Sequence, residues 1–235
     1  MSAALYSWPT TAKFGRMVPK SKFYEHAAIA ASVREKFVAE IQRITWAYKL
    51  ADGTIHLRGD DSVPEIQIFT IDAKADDVSD DVLKAIDKAI PFPIIFELNR
   101  ESNRQMETRM VAAHKQLGGV AQRISDYFTI DWLPSDSPRV RLPTALDLAG
   151  LYAGLLAPIL PISPRAGEAM SEATERIEIA RKLEREIAIL ELKLRNEPQF
   201  NRKVEYRREL RDRFASLKAL TDPATPKIKD ASWTS

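Results

Sequence analysis

From Met170 to Leu194, apolar residues return at steps of three or four: Met170, Ala173, Ile177, Ala180, Leu183, Ile187, Leu190 and Leu194. A narrow seam kept for about four heptads is a helical signature. A strand cannot use it, because strand side chains change face at every residue. From Arg165 onward the composition turns to Ala, Glu, Arg, Leu and Ile, and Pro198 interrupts the run. A second, looser arm passes through Val204, Leu210, Phe214, Leu217 and Leu220. Two such arms broken at Asn196–Gln199 predict an antiparallel, coiled-coil-like helical hairpin over residues 165–220. Its apolar edge has to be covered by itself, by the rest of the chain or by a protein partner. Residues 221–235, with Pro223, Pro226 and Trp233, predict a frayed tail.

Ahead of the hairpin, helical and strand patterns alternate. Residues 1–31 read as irregular, broken by Pro9 and Pro19. Ser32, with Glu35 at capping-box spacing, predicts the start of a helix. Val33, Phe37, Ile41, Ile44 and Tyr48 would be its buried stripe. Asp52-Gly53 is turn chemistry, and Thr54–Leu57 reads as a short strand. Glu65–Lys74 carries Ile66 and Ile68 on one face and Phe69 and Ile71 on the other, the mark of a central strand. Ser79 caps a helix through Val82, Leu83, Ile86 and Ile90, and Pro91 and Pro93 end it. Ile94–Leu98 and Met106–Lys115 predict a hairpin around a polar turn at Asn99–Gln105, and Tyr127–Leu133 a further strand. The prediction is an α+β core over residues 1–134, a small mixed sheet with flanking helices. Residues 135–164 read as a proline-rich linker holding one apolar helix.

Composition narrows the chemistry. The chain has 235 residues, 35 Lys+Arg against 33 Asp+Glu, and no cysteine. Disulfides, cysteine-ligated zinc, iron–sulfur ligation and a thiol nucleophile are excluded. The near-balanced charge confines any basic surface to local patches. The most apolar stretch, Leu146–Ile162, holds Asp147, two glycines and two prolines, and is too short and interrupted to span a bilayer. An amphipathic segment touching a membrane is the lesser reading of it. Met1 is not followed by a basic and then apolar leader, so a cytoplasmic setting is expected. Glycine-rich phosphate loops, a G-x-S-x-G elbow and paired histidines at helical spacing do not occur.

Three groups of residues carry chemistry. Asp72-Ala73-Lys74 ends the central strand, with Glu65, Asp60 and Asp61 nearby in sequence. Metal-dependent nucleases place an acid-x-Lys triplet there, with another acid one strand earlier; the acids hold Mg²⁺ and the lysine supports developing charge. The plain alternative is a strand-end charge pair. Lys13, Arg16, Lys20 and Lys22 are interleaved with Phe14, Phe23 and Tyr24, which suits phosphates and stacked bases, or a solvated strap anchored by its aromatics. Arg207, Arg208 and Arg211 lie in an arm with excess positive charge, where they could follow phosphates or simply face water. No other cofactor or metal site is expected.

Three stretches also resemble a known family together. They are Val18-Pro-Lys-Ser-Lys-Phe-Tyr24, then Glu65-Ile-Gln-Ile-Phe through Ala85-Ile-Asp-Lys-Ala-Ile-Pro-Phe-Pro-Ile-Ile-Phe96, and Gln199-Phe-Asn-Arg-Lys-Val-Glu205. In order and spacing the chain resembles the uncharacterised bacterial family DUF4391, with the Ala-Ile-Asp-Lys-Ala-Ile-Pro-x-Pro block the most specific part. The resemblance implies an accessory role beside helicases and DNA methyltransferases of restriction or phage-defence type. It transfers no catalytic residue, and residues 135–165 match nothing in it.

The leading expectation is therefore a non-enzymatic interaction subunit that uses the C-terminal helices to bind a protein partner or itself. A Mg²⁺-dependent nuclease built on Asp72 and Lys74, and a nucleic-acid-binding adaptor, are the alternatives.

Overall fold

The computed structural model describes residues 4–26, 29–117 and 122–222. It divides into two compact units, Met1–Leu160 and Pro161–Ser235. In chain order the first unit contains β1 (Lys13–Met17), α1 (Lys20–His26), α2 (Ala31–Glu40), β2 (Ile41–Leu50), α3 (Asp52–Ile55), β3 (Ile66–Ala73) and α4 (Asp80–Ala89). It continues with β4 (Ile94–Ser102), β5 (Gln105–Gln116), β6 (Arg123–Thr129), β7 (Leu133–Pro134) and α5 (Leu148–Leu156). The second unit contains α6 (Met170–Asn196) and α7 (Phe200–Thr221). This is the expected α+β architecture followed by a helical hairpin.

The strands form one mixed sheet in the order β1-β2-β3-β4-β5-β6, with β7 also pairing with β5. All pairs are antiparallel except β3 and β4, which run parallel across the α4 connection. The run Glu65–Lys74 is central, as its two-faced apolar pattern requires. Phe69 and Ile71 join Phe96, Leu98, Val111 and Ala113 on one face, under Phe23, Phe37, Val82, Leu83 and Ile86 from α1, α2 and α4. Ile66, Ile68, Ile95 and Ala112 alternate to the other face and are equally buried. There Trp8 donates its indole N–H to Glu97 at 2.8 Å, and Tyr152 of α5 donates to the carbonyl of Ala113 at 2.8 Å. The apolar segment 146–162 thus contributes a helix whose Leu148, Leu151, Leu155 and Leu156 are buried in the first unit. Among the described residues no helix is long and apolar enough to cross a membrane.

The structure corrects several local expectations. Residues 1–31 are not irregular, since Lys13 and Arg16 lie on β1 and Lys20 and Lys22 on α1. A bulge interrupts the pairing of β1 with β2 between Lys13 and Arg16, where Gly15 takes φ +66°. Glycine supplies that left-handed conformation without steric cost. The helix expected through Tyr48 stops at Glu40, and its N-cap position is Ala30 rather than Ser32, with no side-chain cap. Ile41 onward is strand. The error has a physical origin. Two register shifts against β3 leave Ile41, Ile44, Ala47 and Leu50 as the buried residues of β2. Burial at every third residue then imitates helical spacing. The short strand expected at Thr54–Leu57 is instead the one-turn helix α3, closed by His56 at φ 56°. Thr54 fixes it, its hydroxyl accepting from Ala51 N and donating to Lys49 O. The β4–β5 turn is tighter than expected. Ser102 already faces Gln105, and Asn103 and Arg104 take φ 50° and 64°, the two-residue turn whose twist suits a hairpin. The last strand of the run starts earlier than expected, at Arg123.

In the second unit Ala173, Ile177, Ala180 and Ile187 of α6 are buried, as is Leu210 of α7. Arg213 pairs with Glu186 at 3.1 Å, while Arg176 donates to the carbonyl of Leu220 at 2.8 Å. The pairing partner moves down α7 as the position moves up α6, so the helices are antiparallel. Arg176 also grips both oxygens of Glu168 at 2.7 and 2.8 Å, and Arg165 reaches the carbonyls of Ala219 and Asp222. Two guanidinium groups therefore satisfy the last carbonyls of α7, which have no partner within the helix. The expected frayed tail falls almost wholly on residues 223–235, outside the described residues.

Candidate functional site

At the carboxyl ends of β3 and β4 the first unit opens into a cleft of about 920 Å³. Its lining includes Met17, Lys20, Arg43, Asp72, Lys74 and Asp76, with Arg100, Glu101 and Met106. The parallel pair β3 and β4 creates it. Both strands end on the same side, and the chain leaves β3 towards α4 there.

Asp72 is held tightly. Arg43, its neighbour across β2, donates from Nε at 2.7 Å and from Nη2 at 2.6 Å to one carboxylate oxygen. Asn99, its neighbour on β4, donates to the other at 2.9 Å. The Asn99 carbonyl accepts from Thr108 at 2.8 Å, and Thr108 shares a 2.8 Å contact with Ser135. The position one strand earlier, where a nuclease needs a second acid, is thus occupied by a cation that neutralises the first. Glu65 sits at the far end of the same strand, on the order of 20 Å away at strand rise, and pairs with Lys49 at 2.6 Å. Asp60 accepts from the N–H groups of Ser62 and Val63 and closes its own turn. Among the described residues no three His, Asp or Glu side chains are placed to hold a metal ion.

Lys74 and Lys20 do meet in the cleft. Lys74 Nζ donates to Val38 O at 2.9 Å, and Lys20 Nζ donates to Ile41 O. Burial and the neighbouring Lys74 charge lower the Lys20 pKa from its ordinary value. Arg16 lies over the Phe14 ring at 4.9 Å, on an exposed edge strand with Lys13. Lys22 lines a different, apolar pocket of about 270 Å³. The cluster Lys13, Arg16, Lys20, Lys22 is therefore one patch in sequence but is divided in space. Arg207, Arg208 and Arg211 are exposed on α7 in the second unit.

Sequence reasoning missed the most buried charges. Lys115 of β5 and Asp87 of α4 form an ion pair inside the first unit. Tyr127 donates to the same carboxylate at 2.7 Å, and Lys115 also donates to the carbonyls of Asp87, Ile90 and Phe92. Burial pushes the Asp87 pKa up and the Lys115 pKa down, and attraction within the pair opposes both shifts. A signal existed. Asp87 lies on the apolar face of its helix beside Leu83, Ile86 and Ile90, where an acid requires a partner.

The fold and these sites define an α+β core with a polar cleft, followed by a helical hairpin. Residues 7–217 match the family described as a domain of unknown function, DUF4391, and the chain belongs to it. Comparison with curated proteins and with solved structures finds no match.

Proposed function

We propose that the protein is a non-enzymatic interaction subunit that binds an acidic, partly apolar surface of a partner protein through α7. The observation that carries this reading is an unspent stripe on that helix. With Leu210 buried against α6, Phe200, Val204 and Phe214 remain 73%, 49% and 47% exposed. They share one helical face with Arg207, Arg211 and Lys218. Residues 200–221 hold seven basic and three acidic side chains, a net charge of +4. Two copies of α7 would repel one another, whereas an acidic amphipathic surface complements both features. Ile189 and Leu192 add apolar surface on α6, at 54% and 55% exposure.

The assembly we propose, as the resemblance implies, is a cytoplasmic bacterial restriction or phage-defence complex with a helicase or DNA methyltransferase. The nuclease reading loses ground because Asp72 already has both oxygens occupied. The test is co-purification of the full chain with a helicase and with a DNA methyltransferase of restriction or phage-defence type. Phe200→Ser with Val204→Ser should abolish co-purification while leaving the melting transition in place. Equal recovery of the partner with wild type and variant, or a chain that ignores both partners, would refute the proposal.

A further inference from the structure

Two ammonium groups, those of Lys20 and Lys74, line the cleft. Each hydrogen-bonds one carbonyl at the junction of α2 and β2, Lys20 to Ile41 and Lys74 to Val38. Neither lysine has a carboxylate partner among the described residues. Asp72 is taken by Arg43 and Asn99, and the other lining acids, Asp76 and Glu101, pair with neither lysine. An ammonium group carries three donors, so each lysine keeps two for a ligand. Satisfying the end of α2 needs one cation, and the second adds repulsion. The Lys20 pKa is lowered by burial and by Lys74, as that repulsion requires.

We infer that Lys20 and Lys74 form a binding site for a phosphate ester. The backbone phosphate of a nucleic-acid strand fits it best. The cleft is open, and its Met17 rim continues into the exposed edge strand β1, which presents Lys13 and Arg16. Met17 and Met106, at 68% and 52% exposure, offer adaptable apolar contact on the cleft lining. A strand can lie across this surface with one phosphate between the two lysines. The site is independent of the stripe on α7.

The test is fluorescence anisotropy of a labelled single-stranded oligodeoxynucleotide with the full chain over a range of salt concentrations. Lys20→Met with Lys74→Met should weaken binding by roughly tenfold or more, and the salt slope should become shallower by about 0.7, the loss of one phosphate contact on a single strand. Lys20→Arg with Lys74→Arg should retain binding, which a purely packing role for the lysines would not predict. The Phe200→Ser, Val204→Ser chain should bind as wild type does. If Lys20→Met prevents folding, Lys74→Met alone carries the test, since that side chain is exposed. Pyrophosphate and a mononucleotide form the second arm. If they bind as tightly as the oligonucleotide, and the same variants lose them, the phosphate site stands with a small ligand as its occupant. If none of the three probes binds, or if all bind wild type and Met variants alike, the inference is wrong.

Discussion

The Lys115 ammonium and the Asp87 carboxylate lie 2.5 Å apart with side chains only 0% and 1% exposed. The pair ties β5 to the end of α4. The same ammonium donates to the carbonyls of Asp87, in the last turn of the helix, and of Ile90 and Phe92 just beyond it. Asp87 lies in the block of residues that most specifically carries the family resemblance, so that block encodes a buried joint of the core.

Removing one partner leaves the other charge uncompensated inside the protein. Lys115→Met should destabilise the first unit by about 3–5 kcal/mol. Adding Asp87→Leu should restore part of that loss, so the two effects should be clearly non-additive. Urea unfolding of both singles and the double variant measures this, and simple additivity would remove the pair from its structural role.

His114 stacks on Tyr152 at 5.9 Å, and burial lowers its pKa to about 4. The unfolded chain takes up this proton near pH 6.5 while the folded chain resists it. Stability contributed by the neutral ring is complete above about pH 6.5. It falls as the pH drops towards 4, the folded value, and this group adds no further loss below that. The contribution is on the order of 2–3 kcal/mol. Urea unfolding from pH 7 to pH 4 should show wild type losing more stability than His114→Gln. Parallel curves would contradict this origin.

Arg176 bridges Glu168 and the carbonyl of Leu220 from a position 6% exposed. Its hydrogen bonds lower the Glu168 pKa. Arg176→Ala should cost the hairpin about 3–5 kcal/mol and accelerate amide exchange near the end of α7. Arg176→Lys should recover only part of this, because a point charge cannot reproduce the bidentate geometry. Unchanged exchange in the alanine variant would rule out the clamp.

Asp72 has a positioning role in this structure. Asp72→Ala should lower stability by about 1–3 kcal/mol by stranding Arg43 and Asn99. Mg²⁺ or Mn²⁺ should shift the melting temperature of wild type no more than that of the variant. A metal-dependent rise confined to wild type, with DNA cleavage, would restore the nuclease reading.

The sequence alone determined the elements whose periodicity is unbroken. The α6 seam, the two-faced run of β3, the α4 stripe ending at Pro91 and the β4–β5 hairpin are local patterns. Local sterics and solvent exclusion read them the same way in any context. That Asp72 and Lys74 lie together at the end of β3 was legible too, because they are two residues apart in sequence. Tertiary structure decided the rest. The bulges in β2 turned a strand's period of two into an apparent period of three, which only pairing with β3 could reveal. The register set Arg43 opposite Asp72, converting a candidate metal ligand into half of an ion pair. The crossover through α4 brought Lys115 to Asp87, and the turn from β1 into α1 carried Lys20 to Lys74 while leaving Lys22 elsewhere. Charges act through space and fall off with distance and solvent exposure. Their roles were therefore fixed only once the chain had chosen which distant residues would be neighbours.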